Sequence, residues 1–446
     1  MRIVFLLSGG LLLGWPAAGV HAADLHAADL HAADNNFGVT PERRTWAWDL
    51  TSGFDSYLHS YALATDDTTE TISEFLLQAG LEGQSPFRAR HRWRVRAEAS
   101  TGTELFRERF QGEYHFMGDN RTERVRLTGS FWGRQYRETT EYSRSSDNWE
   151  GRLEGRIAPV VGGKAKLELR GWASTIDYAT PSTLEVDYRN TGGGVFVRST
   201  TLGNTLWGVG TRLGARTYPD SSAINRDTWS LEADLDHHDL AGQGLRLYHK
   251  SERRLIQDEL VRPSAWTHWS DFSGAVTAGG GHMFLDVQAE AWQYDVETDV
   301  YFNSVRLEGA TGYRWGDILA ATWKVGLASE RLNADDSPET YSQVGLRGGV
   351  ESYGTEVGGS LTLEYGRRSY AQGDVNIDPD SLDPTLLDSV ALYTDFNYWK
   401  IWLMGSWRIS PHFDLDLMAN YEPESHTENT DDSALGFASL RLRWRP

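Results

Sequence analysis

The segment Phe87–Ala97 reads FRARHRWRVRA and places an arginine at every second position. In a helix these arginines would spread around the whole cylinder, whereas in a β-strand they lie on one face. The residues between them are small, apolar or aromatic and form the opposite face. Strands with one charged and one apolar face, repeated along a chain, are typical of a transmembrane β-barrel with a watery interior. This arginine ladder consists of Arg88, Arg90, Arg92, Arg94 and Arg96.

The overall composition agrees with a barrel. Mean hydropathy is -0.50, and the only sustained apolar run is N-terminal, so no membrane-spanning helix is predicted. The 446 residues include 45 glycines and 18 tryptophans, which suits many tightly turned strands with aromatic girdles at the membrane interfaces. A large soluble β-sandwich or propeller is the alternative, but the chain contains no repeat of blade length.

The N-terminus has the features of an export signal. A basic start at Arg2, an apolar stretch and small residues before Ala22 predict a signal peptide over residues 1–22. The HAADL repeats that follow lie in a predicted short, disordered periplasmic leader over residues 23–43, too short to fold as a plug domain. Residues 44–446 form the predicted outer-membrane β-barrel. The chain has no cysteine, so neither lipidation nor a disulfide can form.

Period-2 segments alternate with turns from Arg44 onward and predict an all-β, antiparallel up-and-down barrel of about 20 strands, within a range of 18–22. Short connections such as Gly118–Arg121 alternate with longer polar ones such as Glu138–Asp147, and only Thr101–Glu104 breaks this rule. Short periplasmic turns opposite longer outer loops are the expected plan. The predicted strands begin near Arg44, Thr71, Phe87, Leu105, Thr122, Asn148, Lys164, Leu184, Asn204, Arg226, Gln243, Ser264, His282, Tyr301, Ile318, Glu339, Thr355, Leu392, His412 and Asp432.

The last strand, Gly436–Trp444, reads GFASLRLRW and looks like the signal that barrel-assembly machinery reads. With this strand, the chain resembles the Gram-negative outer-membrane β-barrel (porin-like) class over nearly everything after the leader, without pointing to a subfamily. It departs from the class by continuing to Arg445–Pro446 instead of ending on an aromatic residue. The resemblance implies an integral protein of the cell outer membrane, in contact with membrane lipid and lipopolysaccharide and inserted by that machinery.

Alternation assigns the charged residues to the interior, because an arginine or lysine facing lipid at mid-membrane costs about 2–4 kcal/mol. The inward positions of the second half are more acidic, so a basic wall is expected to face a more acidic one. Pairing of arginine and glutamate across adjacent strands is the alternative, and the sequence leaves both open. Besides the arginine ladder, the predicted pore-lining residues are Arg107, Arg109, Arg124, Arg126, Arg152, Arg156, Glu232, Asp234, Asp286 and Glu290.

These features predict an outer-membrane pore for passive passage of hydrophilic solutes, with anionic solutes as the first expectation. One alternative is a barrel that belongs to an export or assembly system and conducts an exopolysaccharide or holds a cytochrome, an electron-transfer partner. Another is a structural or surface barrel whose lumen is closed by loops. The longest loop, Ala371–Ser389, either folds inward as a constriction or stays exposed.

The sequence offers little evidence for other chemistry. No Ser/His/Asp or carboxylate constellation indicates an enzyme, no motif indicates a cofactor, and a net charge of -20 gives no basic surface for nucleic acid. Asp374–Asp380 resembles the start of a calcium loop, but Pro379 stands where that motif needs glycine. His237–Asp239 is explained more simply as a polar turn than as a metal site. No metal site is therefore predicted.

Overall fold

The computed structural model describes residues 45–446 except 63–66, 87–88, 103–104, 119–122, 137–146, 163, 181–185, 200–203, 239–242, 299–300, 318–319, 336, 338, 372–393 and 427–431, and omits the side chains of 59, 61–62, 67–70, 72 and 160–161. The predicted signal peptide, the leader, Arg88, the Asp374–Asp380 segment and nearly all of the predicted Ala371–Ser389 loop lie outside the described residues.

Twenty antiparallel strands form one sheet in which each strand pairs with the next and β1 pairs with β20. The predicted all-β up-and-down barrel is therefore confirmed. The strands are β1 Thr45–Ala62, β2 Asp67–Gln84, β3 His91–Gly102, β4 Leu105–Met117, β5 Glu123–Tyr136, β6 Asn148–Val161, β7 Ala165–Tyr178, β8 Tyr188–Ser199, β9 Thr205–Thr217, β10 Arg226–His238, β11 Gly244–Ile256, β12 Ala265–Ala278, β13 Gly281–Tyr294, β14 Ser304–Asp317, β15 Ala321–Ala334, β16 Tyr341–Tyr353, β17 Val357–Tyr370, β18 Phe396–Ser410, β19 Phe413–His426 and β20 Ser433–Trp444.

Four predicted strand starts differ from the observed ones by four residues: those of β2, β3, β8 and β18. The start of β3 matters most, because it falls within the arginine ladder. β3 begins at His91 instead of near Phe87, so Arg90 is an exposed residue of the preceding turn. Pro86 lies in this turn and has no N–H to donate to a ladder. Its carbonyl instead accepts a hydrogen bond from the Ala89 N–H at 3.1 Å. The chain therefore turns here, and the inward-facing part of the described ladder starts at Arg92.

The outer face of the barrel is apolar. Phe110, Leu153 and Leu213 are 49%, 58% and 63% exposed and lie on the face opposite the charged residues. Aromatic residues gather on this face near both strand ends, as expected for side chains at a membrane interface. Near the short-turn end they are Trp46, Trp93, Tyr313, Trp315, Trp323, Trp407 and Trp444; near the long-loop end they are Trp149, Trp229, Trp266, Tyr365, Trp399 and Tyr421. In the part of the chain that the structure describes, no helix is long and apolar enough to cross a membrane.

One polar cluster interrupts the outer face on β11 and β12. His249 bonds to Ser270 Oγ at 2.8 Å through Nδ1 and to Ser251 Oγ at 2.9 Å through Nε2. Ser251 Oγ also lies 2.9 Å from Nδ1 of His268. The four side chains hydrogen-bond to one another, which lowers the cost of holding polar groups on an apolar surface.

Aromatic rings fill space above glycines on the opposite, inner face. Phe196 of β8 is only 1% exposed and packs over Gly210 of β9. Trp172 of β7 covers Gly192 and Gly214 in the same way. A ring that lies flat over a neighbouring glycine replaces the packing that the missing side chain would supply. The glycines of β8 and β9 therefore have a packing role here.

We expect Gly210→Ala to destabilise the barrel by about 1–3 kcal/mol, because the added Cβ overlaps the buried ring of Phe196. Gly171→Ala is the matched control, since a Cβ at Gly171 meets only the Gly192 carbonyl oxygen at 3.8 Å. Thermal unfolding of both variants in detergent, followed by circular dichroism, measures the difference. Equal stability of the two variants would contradict the packing role of Gly210.

Candidate functional site: the charged inner face

Ion pairs that reach across an intervening strand identify the charged face as the concave one. Arg107 of β4 lies 3.8 Å from Glu74 of β2, and Arg198 of β8 lies 3.0 Å from Asp234 of β10. Side chains converge on the concave side of a curved sheet and diverge on the convex side. The charged side chains therefore point into the barrel, and the apolar face points outward.

Arg92, Arg94 and Arg96 alternate on the inner face of β3. Arg94 makes a bidentate pair with Glu82 of β2, with distances of 2.9 Å from Nε and 3.2 Å from Nη2. Arg96 contacts Glu98 on its own strand, Glu82 at 3.5 Å and Asp49 of β1 at 4.0 Å. Much of the ladder's charge is thus balanced by acidic residues of β1 and β2.

The sequence-based prediction missed these partners, although Glu82 and Asp49 occupy alternate positions that share the inner face with Ala47 and Gly80. Period-2 alternation gives their face, but the identity of the partner depends on the pairing register. The predicted residues Arg107, Arg109, Arg126, Arg152 and Arg156 lie on the same face of the sheet as the ladder. Arg124 falls at a shift in register, where Phe116 pairs with Val125 and Met117 pairs with Glu123, so it has no paired residue on β4.

The basic region extends further than predicted, to Arg198 of β8 and to Arg212 and Arg216 of β9. We call the inner face of β3–β9 the basic wall. Its cations outnumber its carboxylates by more than two to one. The cations are Arg92, Arg94, Arg96, Arg107, Arg109, Arg126, Arg134, Arg152, Arg156, Lys166, Arg170, Arg198, Arg212 and Arg216, and the carboxylates are Glu98, Glu113, Glu123, Glu150, Glu154 and Glu168.

Glu168 of β7 is the central carboxylate of the basic wall, and its side chain is fully buried. It lies 2.8 Å from Lys166 Nζ and 3.0 Å from Arg170 Nη2. Arg198 and Arg156 approach it at 3.7 and 3.9 Å. One negative charge therefore holds four cations from three strands in place.

The aromatic ring of Phe196 packs against two arginines of the basic wall. The guanidinium carbon of Arg170 is 4.1 Å from the centroid of the Phe196 ring, and that of Arg212 is 5.2 Å away. Cations above an aromatic face are attracted by the negative potential of the ring. The ring and Glu168 together fix the direction in which the guanidinium groups point.

The predicted acidic residues fall into two groups. Glu232 and Asp234 lie on β10 beside the basic wall and pair with Arg212 at 2.9 Å and Arg198 at 3.0 Å. Asp286 and Glu290 lie on the inner face of β13, halfway around the ring from β3. Glu232 and Asp234 thus form ion pairs with arginines of nearby strands, as one alternative expected. Asp286 and Glu290 lie apart from the basic wall, as the other alternative expected.

Several inner charges stay accessible to solvent. The Arg152 side chain is 62% exposed, and Glu308 and Arg347 of the opposite side are 39% and 37% exposed. These side chains therefore remain in contact with solvent on the inner face. Among the residues that the structure describes, no group of His, Asp or Glu could hold a metal ion.

Comparisons with known proteins relate the chain to others through its fold. No protein family's sequence profile matches it, and no curated protein matches it in sequence. The copper transporter OprC matches with a TM-score of 0.55 at 10% identity, over 91% of this chain and 80% of OprC. The ferric citrate transporter FecA gives 0.52 at 10% identity, over 91% and 79% of the two chains. A ferric enterobactin receptor, PfeA from Pseudomonas aeruginosa, gives 0.51 at 9% identity, over 89% and 80%.

At these identities the likeness concerns the fold alone. The closed ring of twenty strands, the apolar outer face with aromatic residues near both rims, and the charged inner face are those of an integral outer-membrane β-barrel. The predicted class and location are therefore confirmed, and the subfamily is unassigned.

We expect Glu168→Gln to destabilise the barrel by roughly 3 kcal/mol, because four clustered cations lose their buried counter-charge. Added salt should restore part of the loss by screening the cations. Glu308→Gln is the control, since that carboxylate is exposed and lies 3.7 Å from a single arginine, Arg306. Thermal unfolding in detergent at low and high salt measures both effects. A Glu168→Gln barrel as stable as the control would refute the central role of this carboxylate.

Proposed function

We propose that the barrel is a channel for passive passage of hydrophilic solutes and that its basic wall favours anions. The observation that carries the proposal is the excess of inward-facing cations on β3–β9, some of which are exposed to solvent, as Arg152 is. A wall of one charge sign in a narrow pore concentrates solutes of the opposite sign and repels those of like sign.

The size of the ring supports this proposal. Barrels of 16–18 strands enclose a water-filled channel, and this ring has twenty. Polar inner side chains that keep solvent exposure, such as Glu308 and Arg347, are suited to a hydrated path. OprC and FecA are named as transporters and PfeA as a receptor. The proposal does not depend on these names, because it rests on the inner face of this chain.

The chain's net charge of -20 does not argue against anion preference. Charges within a Debye length of the path, about 8 Å at physiological ionic strength, act on a passing ion far more than distant ones. On the inner face of β3–β9 the nearest charges are mostly arginines. The acidic residues Asp286 and Glu290 also face inward, but they lie on β13, halfway around the ring from β3.

We expect the purified, folded protein to give stepwise currents in a planar bilayer, with a reversal potential in a salt gradient that indicates anion preference. The double substitution Arg109→Glu and Arg152→Glu should shift this potential toward cations, because both side chains are exposed on the inner face. These residues suit the test better than Arg94, whose reversal would place a new carboxylate against Glu82.

The matched control is Arg109→Lys with Arg152→Lys, which keeps both charges and should keep the reversal potential. Folded protein without conductance would overturn the channel and favour a barrel closed by loops. Conductance with no shift in the glutamate variant would place these two arginines away from the ion path and contradict the role of the basic wall.

A further inference from the structure

Three arginines stand directly opposite one another on consecutive strands of the basic wall. Arg126 of β5 is in register with Arg156 of β6, and Arg156 is in register with Arg170 of β7. The row continues through Gly194 of β8 to Arg212 of β9. Like charges directly opposite each other on neighbouring strands destabilise a sheet. Such a row needs a compensating negative charge.

The carboxylates of the wall supply only part of that compensation. Arg126 lies 3.3 Å from Glu113, and Arg156 pairs with Glu123. Arg170 depends on Glu168, which also contacts Lys166 and Arg198. Arg198 and Arg212 have further partners on β10 in Asp234 and Glu232. Glu113 and Glu123 both contact His115 as well. Each carboxylate is therefore shared, and the row keeps an excess of positive charge.

Hydrogen-bond donors in the row also lack acceptors. The Nε atoms of Arg126, Arg170 and Arg212 are buried and have no hydrogen-bond partner among the described residues. A buried donor without an acceptor costs about 1–3 kcal/mol. An arginine presents its donors in a planar fork that matches the oxygens of a carboxylate or phosphate. An oxyanion is therefore the ligand whose charge balances the row and whose oxygens match the arginine fork.

A recess of about 260 Å³ opens on the inner face at this row, lined by Arg126, Thr128, Glu154, Arg156 and Arg170. Thr128 and Glu154 are in register with each other, one row beyond the arginines. The recess thus combines three guanidinium groups, one hydroxyl that can donate or accept, and one carboxylate. An ionised carboxylate only accepts hydrogen bonds. It repels a fully deprotonated anion and accepts a bond from one that carries an O–H group.

We propose that this recess binds an oxyanion that bears a hydroxyl group, such as a hydrogen phosphate, a sugar phosphate or a hydroxylated carboxylate. The guanidinium groups of Arg126, Arg156 and Arg170 bind the charged oxygens. Glu154 accepts a hydrogen bond from the hydroxyl of the ligand. This inference rests on the proposed function and extends it by naming the class of anion that binds to the basic wall during passage.

Phosphate and sulfate distinguish this chemistry, because phosphate near neutral pH keeps an O–H group and sulfate has none. Binding of inorganic phosphate and of sulfate to the full, folded chain in detergent is measured by isothermal titration calorimetry at constant ionic strength. We expect phosphate to bind about tenfold more tightly than sulfate, the worth of one hydrogen bond to a charged group. Equal binding of the two ions would overturn the role of Glu154, and no binding of either would overturn the site.

Two variants test the residues. Arg126→Gln should weaken phosphate binding about tenfold or more, since it removes a charged donor pair. The matched control is Arg134→Gln, on the same strand and face but outside the recess, and it should bind phosphate as the unmodified chain does. If both variants lose the same phosphate affinity, the effect comes from the overall charge of the basic wall, and the proposed site is overturned. Glu154→Gln should abolish the preference for phosphate over sulfate, because an amide can also donate.

Phosphate binding is measured in detergent and conductance in a bilayer, so the proposed site and the proposed channel can each be refuted without the other. An anion-selective current from a chain that binds no phosphate would refute the recess and leave the proposed function standing. Phosphate binding that depends on Arg126 in a barrel without conductance would support the recess and refute the channel. If Arg126→Gln does not fold, Glu154→Gln and the phosphate-to-sulfate ratio of the unmodified chain decide the question.

Discussion

The hydrogen-bonded closure of β1 onto β20 is the constraint on which the rest of the molecule depends. In hydrocarbon there is no water to bond an exposed sheet edge, so every strand must find a partner on both sides. Leu50–Tyr61 of β1 pair with Ser433–Trp444 of β20 and complete the ring. Closure also creates an inside and an outside, and alternation then sends each residue of a strand to one of two different media.

Polar residues need different partners on the two faces of the barrel. On the outer face, His249, Ser251, His268 and Ser270 form hydrogen bonds with one another. On the inner face, charge is tolerated because water and opposite charges are near, and curvature brings side chains of alternate strands together. The Arg198–Asp234 pair across β9 exists for this reason. The concave face can therefore hold a dense cationic surface that no flat sheet would keep.

Period-2 alternation was sufficient to predict the barrel and the approximate start of each of its strands. Every predicted strand start lies within four residues of the observed one. The errors arise where backbone chemistry overrides the pattern, as at Pro86, which turns the chain before Arg90 and delays β3 to His91. A shift in register near Pro159 between β6 and β7 has the same origin, because proline cannot donate a ladder hydrogen bond.

Pairing partners were beyond the reach of the sequence because they depend on register. The bond between Arg94 and Glu82 and the row of Arg126, Arg156 and Arg170 both require knowing which residues stand opposite each other. Sequence alone could show that arginines are numerous, but not that three of them meet.

That meeting matters, because like charges in register destabilise a sheet, and the carboxylates beside these arginines are shared with other cations. Here glycines at 194 and 210 make room for Phe196, and Phe196 and Glu168 hold the guanidinium groups in position. Stabilising contacts are thus arranged around a row of like charges, which is destabilising by itself. Proteins retain such local costs at functional sites, and for this reason the proposed oxyanion site is placed at this row and not at the longer ladder on β3.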